Sequence, residues 1–511
     1  MNRLVMVPVY LFCHEGTRSI ISYLRSKGHQ AQTVYFCDGL GITPPDRAFE
    51  LLYETLRRLR PTVVGISFFC THRATAERVA RFCKQELGAL VVAGGVHATI
   101  DPEDALRFSD IVIQGDGEFP LHELLNNYSG DASIAATIPG AVYRDGQGEV
   151  RFGKPNTYIN LDDLPFPDLD EDAIFIQNEK TWVGLDPTTI AEICVLASRG
   201  CPFVCTYCSN SFLNDLPNRP RVRIKSAEYI LAELERNKKR FSKATKVVFS
   251  DEMLLANKRN VEAMLEAYPQ RIGLPFGCLF HPNTIDEGLM EKLVHAGMLM
   301  GRAGIQAMSQ NTRNTLYARN TKDADIVRVA RLFQQYPEVR LAFDVIVNNP
   351  LEKPEDIQDG FDFMLTIPGN FELFVHVLMH LPKTKLTEQF LKAGLITTQQ
   401  IEGYNLHPNT LAINILSRQL QTDASYGLDR HWLYMVSLIS KHFVPRGLLQ
   451  RMSRLRLLRR HPDLLFLFAY GANVINMVLL CLRMVRNGEY RFTHLLKLAF
   501  REGMGIFKMS R

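Results

Sequence analysis

The chain has 511 residues, which is long enough for two or three domains that each bury a core. Hydrophobic residues make up 46% of it and charged residues 22%, an ordinary globular composition that excludes a low-complexity chain. The net charge of +5 is unevenly distributed, because residues 441–511 hold 14 Lys and Arg against three acidic residues.

Ten cysteines are scattered along the chain except for one cluster, which is unlike the disulfide framework of a small secreted protein. The first residues lack a long apolar run and a cleavage site, so they favour a first β-strand over a signal peptide. We therefore expect a reducing, cytoplasmic compartment.

Residues 1–128 alternate between short apolar runs and amphipathic stretches. This alternation predicts a parallel, doubly wound sheet of the flavodoxin type, with ligands bound at the carboxyl ends of its strands. The five predicted strands are residues 4–9, 31–36, 62–67, 89–93 and 110–114.

Paired glycines follow several of these predicted strands. They stand at Gly94 and Gly95, and again at Gly115 and Gly117. Glycines at such positions let the backbone approach a bulky ligand closely. Tight turns between strand and helix are an equally good interpretation of the same residues.

The rest of the chain divides into three parts. Residues 129–190 are predicted as a connector that ends in an acidic, proline-bearing stretch. Six strand and helix pairs in residues 191–385 predict a partial or full β/α barrel with its active site at the C-terminal rim. Residues 386–511 lose this alternation and are predicted to be helical. The six predicted barrel strands are residues 193–197, 246–249, 273–279, 302–307, 340–346 and 373–378.

Three cysteines lie on one short loop just after the first predicted barrel strand. Cys201, Cys205 and Cys208 have the spacing C-x3-C-x2-C, and three thiolates can bind three irons of a cubane cluster. The fourth iron is then left open, as in a catalytic metal site. Zinc is the main alternative, but a Cys3His site needs a nearby histidine and none lies between residues 198 and 280.

At these cysteines the sequence resembles the radical S-adenosylmethionine (SAM) superfamily, whose hallmark is C-x3-C-x-aromatic-C with Tyr207 in the aromatic position. The resemblance implies a [4Fe–4S] cluster whose open iron binds SAM. Reduction of the cluster splits SAM into methionine and a 5′-deoxyadenosyl radical. An electron donor such as flavodoxin or ferredoxin is implied as well.

The same resemblance implies SAM contacts beyond Tyr207. Ser250, Asp251 and Glu252 follow the second barrel strand, where the family contacts the SAM amino group. Gln306 stands where the family usually has Glu, and its neutral amide can still bond the ribose hydroxyls. Asp344 and Asn348 belong to a fifth-strand motif that departs from the usual G-x-P-G-E. The alternative for each outer residue is a strand-end turn.

The first domain and the Leu-Pro-Phe-Pro linker at 164–167 resemble the cobalamin-binding domain that precedes many radical SAM domains. The D-x-H-x-x-G motif is absent, so we assign no cobalt ligand to His14, His72 or His97. A domain that no longer binds corrin is the alternative. The implied cobalamin contacts are Ser67, Thr71, Gly94, Gly95, His97, Gly115, Gly117 and Glu118.

An apolar run of 19 residues, 464–482, lies in the basic C-terminal region and is interrupted by Asn473 and Asn476. The two asparagines disfavour a membrane-spanning helix. A buried helix that caps the barrel is the first interpretation. Peripheral attachment to a membrane through the flanking basic residues 451–460 and 483–511 is the second. No nucleic-acid partner is expected, since no binding module accompanies the charge.

Together these features predict a cobalamin-dependent radical SAM methyltransferase that acts on an unactivated carbon of a hydrophobic small molecule, with a lipid-like substrate as one option. A non-methylating relative, such as an oxidative ring cyclase, is the alternative among enzymes. A non-catalytic iron–sulfur binding or redox protein is the alternative outside them.

Overall fold

The computed structural model describes residues 2–9, 15–36, 44–177, 179–404 and 429–486. It divides into two compact units. The described parts of Met1–Thr189, Val195–Glu233 and Met379–Pro408 form the first unit, and those of Ile190–Cys194, Leu234–Leu378 and Asn409–Arg511 form the second. His14 and residues 405–428 and 487–511, which entered the sequence predictions, lie outside the described residues.

The first unit is built on a nine-stranded sheet with the order β7-β6-β5-β4-β3-β1-β2-β8-β9. Its central strands run parallel in the order β2-β1-β3-β4-β5, which is the flavodoxin-like arrangement and confirms the predicted fold class. The strands are β1 (Arg3–Pro8), β2 (Gln30–Phe36), β3 (Val63–Ser67), β4 (Leu90–Gly94), β5 (Ile111–Ile113), β6 (Ala141–Arg144), β7 (Val150–Phe152), β8 (Ile174–Gln177) and β9 (Lys180–Val183).

Helices cover both faces of this sheet, because successive strand residues are apolar on both sides. Leu4 packs into one core with residues of α1 and α6, whereas its neighbour Val5 packs into a second core with residues of α2 and α3. The helices are α1 (Glu15–Ser26), α2 (Asp46–Leu59), α3 (Arg73–Leu87), α4 (Gly95–Ile100), α5 (Pro102–Ala105) and α6 (Glu118–Asn127).

Residues 129–190, expected as a connector, contribute four of the nine strands. β6 pairs antiparallel with β5, and β7 with β6, at one edge of the sheet. β8 pairs with β2 at the other edge and β9 pairs antiparallel with β8. The connector therefore extends the sheet at both edges.

The second unit contains a six-stranded sheet with the order β10-β13-β14-β15-β16-β17, in which each strand from β13 to β17 runs parallel to the next. The six strands correspond to the six predicted from the sequence, and the sheet is open, as in a partial β/α barrel. They are β10 (Glu192–Val195), β13 (Lys246–Phe249), β14 (Phe276–Phe280), β15 (Met298–Gln306), β16 (Arg340–Val347) and β17 (Glu372–Val377).

One face of this sheet is covered and the other is partly open. In β15 the buried residues Ala303 and Ile305 alternate with the partly exposed Arg302, Gly304 and Gln306. In β15 this face therefore presents the polar side chains of Arg302 and Gln306. The helices of this sheet are α8 (Ala227–Arg240), α9 (Lys258–Arg271), α10 (Glu287–His295), α11 (Asp323–Gln334) and α12 (Pro354–Thr366).

Two short strands and a short helix surround the cysteines in the first unit: β11 (Ser198–Arg199), β12 (Arg223–Ile224) and α7 (Asn210–Leu213). The same unit holds α13 (Lys385–Lys392) and α14 (Thr398–Tyr404). Helical structure is thus confirmed for the described residues after 385. The last helices, in the second unit, are α15 (Arg430–Leu438), α16 (Arg446–Arg454), α17 (Arg456–Arg460) and α18 (Pro462–Arg486).

Helix α18 turns Asn473 toward α15. The Asn473 amide Nδ2 donates to Ser437 Oγ at 3.3 Å, and the Tyr434 and Phe466 rings lie 5.6 Å apart. Among the described residues, none of the helices has the length and apolar character that crossing a membrane requires.

Candidate active site

The loop between β11 and α7 carries all three clustered cysteines. Cys205 is buried, whereas Cys201 and Cys208 are partly exposed. The Cys208 amide donates to the Cys205 carbonyl at 3.1 Å. Asn214 Nδ2 donates to the Cys201 carbonyl at 2.9 Å and to the Phe203 carbonyl at 3.3 Å. These bonds draw the two ends of the loop together, so its shape is determined locally.

Gly200 connects β11 to this loop with a backbone that other residues rarely adopt. Its φ is +94°, and a Cβ atom there would clash with the carbonyl oxygen of Arg221. β11 and β12 pair antiparallel at this point, with Ser198 opposite Ile224 and Arg199 opposite Arg223. The close approach of the two strands therefore depends on glycine at position 200.

The donor set of the loop fits an iron–sulfur cluster. Thiolates are the usual ligands of such clusters, and N–H groups near the sulfur tune them. Asn210 Nδ2 lies 3.8 Å from Cys208 Sγ and donates to it. No three of the described His, Cys, Asp and Glu side chains lie close enough to bind a single metal ion. A cubane cluster does not require its ligands to meet at one ion, since each thiolate binds a different iron.

The residues expected to contact SAM, apart from Tyr207, lie in or shortly after strands of the second sheet. After β13, Ser250 is half-buried, Asp251 is completely buried and Glu252 is exposed. Gln306 ends β15, and Asn348 directly follows β16. The two are therefore brought to the carboxyl ends of neighbouring strands, as the sequence predicts.

Gln306 and Asn348 both have a φ of +68°, which is rare for residues with a side chain. The pairing of β15 with β16 shifts its register between Gly304 and Gln306. The Arg319 guanidinium donates to the Gly304 carbonyl at 2.6 and 3.1 Å and so holds the irregular strand end. Strained backbone of this kind is concentrated at binding sites.

Asp344 is buried between two side chains that the sequence analysis did not identify. Arg302 Nε donates to both of its carboxylate oxygens at 2.9 and 2.8 Å, and His376 Nε2 lies 3.0 Å from Oδ1. Burial by itself would raise the pKa of Asp344, but hydrogen bonds from His376 and Arg302 overcome burial and lower it. The carboxylate is therefore ionised at neutral pH. Arg302, Asp344 and His376 meet because they lie on three neighbouring strands, and no local sequence pattern predicts that contact.

A glycine-lined cleft of about 50 Å³ opens at the carboxyl ends of β3, β4 and β5 in the first unit. The sequence predicted five of its lining residues as cobalamin contacts: Ser67, Gly94, Gly95, Gly115 and Gly117. A Cβ atom at Gly94 would meet nothing within 4 Å, so the backbone there is open to a ligand. The cleft is smaller than a typical ligand pocket, and a bulky ligand requires lining side chains such as Met6 to shift.

Thr71 and His97, also expected as cobalamin contacts, do not line this cleft. Thr71 Oγ1 lies 2.9 Å from His72 Nδ1. His97 is buried, with Nε2 3.0 Å from Asp104 Oδ2, and its Nδ1 has no hydrogen-bond partner among the described atoms. Burial lowers the pKa of His72 to about 4, so this imidazole is neutral at physiological pH.

Glu118, the last expected cobalamin contact, is buried and ion-paired. Its Oε1 lies 2.7 Å from Arg199 Nη2 and accepts from Ser19 Oγ at 2.6 Å. Asp116 Oδ2, two residues earlier, accepts from Arg199 at 2.7 Å and from Arg223 at 2.5 Å. Burial alone would raise the pKa of Asp116, but the two arginines overcome burial and hold it below its usual value. The sequence gives no sign of these pairs.

Comparison with known proteins bears on both sites. The family model described as "B12 binding domain" matches residues 3–125, and the one described as "Radical SAM superfamily" matches residues 195–364. The chain belongs to the radical SAM proteins that carry a B12-binding domain. As a radical SAM enzyme it uses a [4Fe–4S] cluster and SAM. Its first domain is of the type that binds cobalamin.

Three similar proteins illustrate the breadth of this family. An uncharacterized methyltransferase of Pyrococcus horikoshii is 25% identical over 391 residues, covering 75% of this chain and 80% of that protein. An anaerobic magnesium-protoporphyrin IX monomethyl ester cyclase of Cereibacter sphaeroides is 25% identical over 304 residues, covering 56% of this chain and 47% of that protein. The structure of the radical SAM methyltransferase TsrM from Kitasatospora setae, with cobalamin and a [4Fe-4S] cluster bound, has the same fold. Its TM-score is 0.60 at 14% identity, covering 77% of this chain and 75% of that one.

Replacing Gly200 by Ala should destabilise the cysteine loop by about 2–4 kcal/mol, because it adds strain at a positive φ to a backbone clash. Thermal unfolding measures the effect. Gly88→Ala is the matched control, since Gly88 also has a positive φ (+61°) but a Cβ there meets no atom within 4 Å. Its cost should be about 1 kcal/mol. Equal losses of Tm in the two variants would contradict the close approach at Gly200.

Glu352, at the end of the fifth-strand motif, should make stability depend on pH. Burial raises the pKa of its carboxyl to about 7, although Thr312 Oγ1 donates to it at 2.8 Å. The folded chain then holds a proton that the unfolded chain releases above its ordinary pKa of about 4.3. The free energy of unfolding must therefore fall as pH rises from the unfolded pKa of about 4.3 to the folded pKa of about 7, and it must level off above pH 7. The total loss should be about 1–3 kcal/mol.

The Tm of the Glu352→Gln variant should decline less than that of the wild type between pH 5 and pH 8, because Gln has no proton to release. Glu355→Gln, at an exposed carboxylate in the first turn of α12, is the control and should keep the wild-type slope. A wild-type slope in Glu352→Gln would show that Glu352 does not titrate in this range.

Proposed function

We propose that this radical SAM enzyme is a cobalamin-dependent methyltransferase that acts on an unactivated carbon of a hydrophobic small molecule. The supporting observation is the set of ion pairs that joins Arg199, two residues before Cys201, to Asp116 and Glu118 beside the glycine-lined cleft. The candidate cluster loop and the candidate corrin loop are thus parts of one compact unit. A reaction that uses both cofactors requires such an arrangement.

In this proposal Cys201, Cys205 and Cys208 hold the cluster, and Asn210 donates a hydrogen bond to the Cys208 sulfur. The glycines at the ends of β4 and β5 let the corrin approach the backbone. When bound, the cluster with SAM would supply a 5′-deoxyadenosyl radical, and methylcobalamin, remethylated from a second SAM once the electron donor has reduced the cobalamin, would supply the methyl group. The substrate exchanges one hydrogen atom for one methyl group.

Residues of the second sheet are proposed to position SAM. Gln306 and Asn348 present amide groups from strained strand ends, where the backbone fixes their direction. Asp344, kept ionised by Arg302, offers an acceptor for a hydroxyl or ammonium group. An electron donor of the flavodoxin or ferredoxin class completes the proposed set of partners.

Two other functions remain as alternatives for the same architecture. The relative from Cereibacter sphaeroides is named a cyclase, which supports a ring-forming reaction as one alternative. A binding or redox protein would keep the cluster without cleaving SAM. The methyltransferase is preferred because the Pyrococcus horikoshii relative, which matches this chain over 80% of its own length, is named a methyltransferase.

Replacing Cys205 by Ala should abolish 5′-deoxyadenosine production under anaerobic, reducing conditions, because it removes one of the three proposed iron ligands. Corrin binding should persist, since the glycine-lined cleft is untouched. Cys83→Ala is the matched control: this thiol is buried in α3, outside the loop, and the variant should keep full cleavage. Retained cleavage in Cys205→Ala would refute the cluster assignment.

SAM with a deuterated methyl group separates the proposed function from its alternatives. Label should appear in the product and in cobalamin if methyl transfer occurs. Deoxyadenosine without labelled product favours the cyclase class, and no deoxyadenosine at all favours the non-catalytic protein.

Peripheral membrane contact and a lipid-like substrate are a further part of this proposal, supported by one face of α18. Seven large apolar side chains, each separated from the next by one, three or seven positions, are between 41% and 70% exposed. We call this face the apolar stripe; it consists of Leu464, Leu467, Phe468, Ile475, Val478, Leu479 and Leu482.

Exposed arginines accompany the apolar stripe. Arg451, Arg456 and Arg460 precede it, and no acidic partner lies beside them among the described residues. A large exposed apolar patch marks an interaction surface, and arginines around it favour anionic lipid headgroups. An anionic membrane surface would therefore satisfy both features.

A variant with Leu467, Ile475 and Leu479 replaced by Ser should lose most of its co-sedimentation with phosphatidylglycerol vesicles, because about half of the stripe becomes polar. The Phe152→Ser, Val183→Ser double variant, which alters exposed apolar residues of the first unit, is the control and should sediment normally. Equal pellet fractions for the wild type and the stripe variant would instead favour a helix that only caps the barrel.

A further inference from the structure

Arg199 connects the cysteine loop to the loop of residues 114–118, because it precedes the first of these loops and bonds side chains of the second. Its Nη1 donates to Asp116 at 2.7 Å, and its Nη2 donates to Glu118 at 2.7 Å and to Ser19 at 2.9 Å. The side chain is 18% exposed, so the bonds are largely shielded from water. Every one of these partners is separated from Arg199 by at least 81 residues of sequence.

Arg223 completes the set from the neighbouring strand. It lies opposite Arg199 in the β11–β12 pair and donates to Asp116 Oδ2 at 2.5 Å. Arg223 Nη1 donates to the Ile159 carbonyl at 3.0 Å. Two arginines thus face two carboxylates, and the set is neutral as a whole.

Asn156 bridges two residues of the 114–118 loop, so the loop shifts as one piece. Asn156 Nδ2 donates to the carbonyls of Gln114 and Asp116 at 2.7 and 2.9 Å, and the Gly115 amide donates to Thr99 Oγ1 at 3.2 Å. A Cβ atom at Gly115 would lie 2.7 Å from the Tyr158 hydroxyl. A shift of this loop must therefore move Asp116 and Glu118 as well, and with them Arg199.

We propose that Arg199 is a positioning residue through which cluster assembly and corrin binding favour each other. A ligand that fixes the 114–118 loop also fixes Asp116 and Glu118, and so the strand that leads into Cys201. Coupling of this kind is reciprocal: whatever cluster assembly does to corrin affinity, corrin binding does to cluster stability. The inference rests on the proposed function, because it assumes that this chain binds both groups.

The test measures hydroxocobalamin affinity by equilibrium dialysis, with and without the reconstituted cluster, in the absence of turnover. In the wild type the cluster should tighten corrin binding by about fivefold or more. In Arg199→Met this ratio should fall to about one. Asp116→Asn should reduce the ratio as well, and the double variant should add little to either single variant.

Arg18→Met is the matched control, because Arg18 forms another partly buried ion pair of the same unit, with Asp170 at 2.6 Å. A merely structural role for Arg199 predicts that both Met variants lose Tm and that both keep the wild-type ratio. Arg199→Lys, which retains the charge, should restore part of the ratio.

The outcomes separate this inference from the proposed function. Corrin that binds the wild type equally well with and without the cluster overturns the coupling and leaves the methyltransferase proposal intact. A chain that binds no corrin in either state overturns both. A wild-type ratio in a folded Arg199→Met variant overturns the role of Arg199.

Discussion

Two arginines that face two carboxylates, with all four side chains largely shielded from water, are the constraint on which the first unit depends. Arg199 and Arg223 on adjacent short strands meet Asp116 and Glu118 at the end of the parallel sheet. Removing one member of such a set leaves a buried charge uncompensated, at a cost of about 3–5 kcal/mol. The four side chains therefore determine where the cysteine loop begins relative to the glycine-lined cleft.

Local sequence patterns predict much of the molecule. Apolar runs of four to seven residues mark the parallel strands because such strands are covered on one or both faces. Cysteine spacing places three thiols on one loop, since eight residues cannot separate them widely. Glycine pairs mark strand ends, and five of the eight expected corrin contacts line one cleft. Each of these features depends on residues close together in the chain.

Features that depend on distant residues could not be predicted in this way. Arg199 and Asp116 are 83 residues apart, and Arg302 meets Asp344 and His376 only through strand register. The edge strand β9 is exposed at all four positions, so it has no apolar pattern to detect. Asn473 interrupts an apolar run in sequence, yet it lies on the side of α18 that faces α15, away from the apolar stripe.

The central claim is that one chain holds both a cluster and a corrin. The most direct measurement is the iron, sulfide and corrin content of a single anaerobic preparation reconstituted with hydroxocobalamin and freed of unbound cofactor. The account predicts about four irons and about one corrin per chain. A preparation with four irons and no corrin would contradict it.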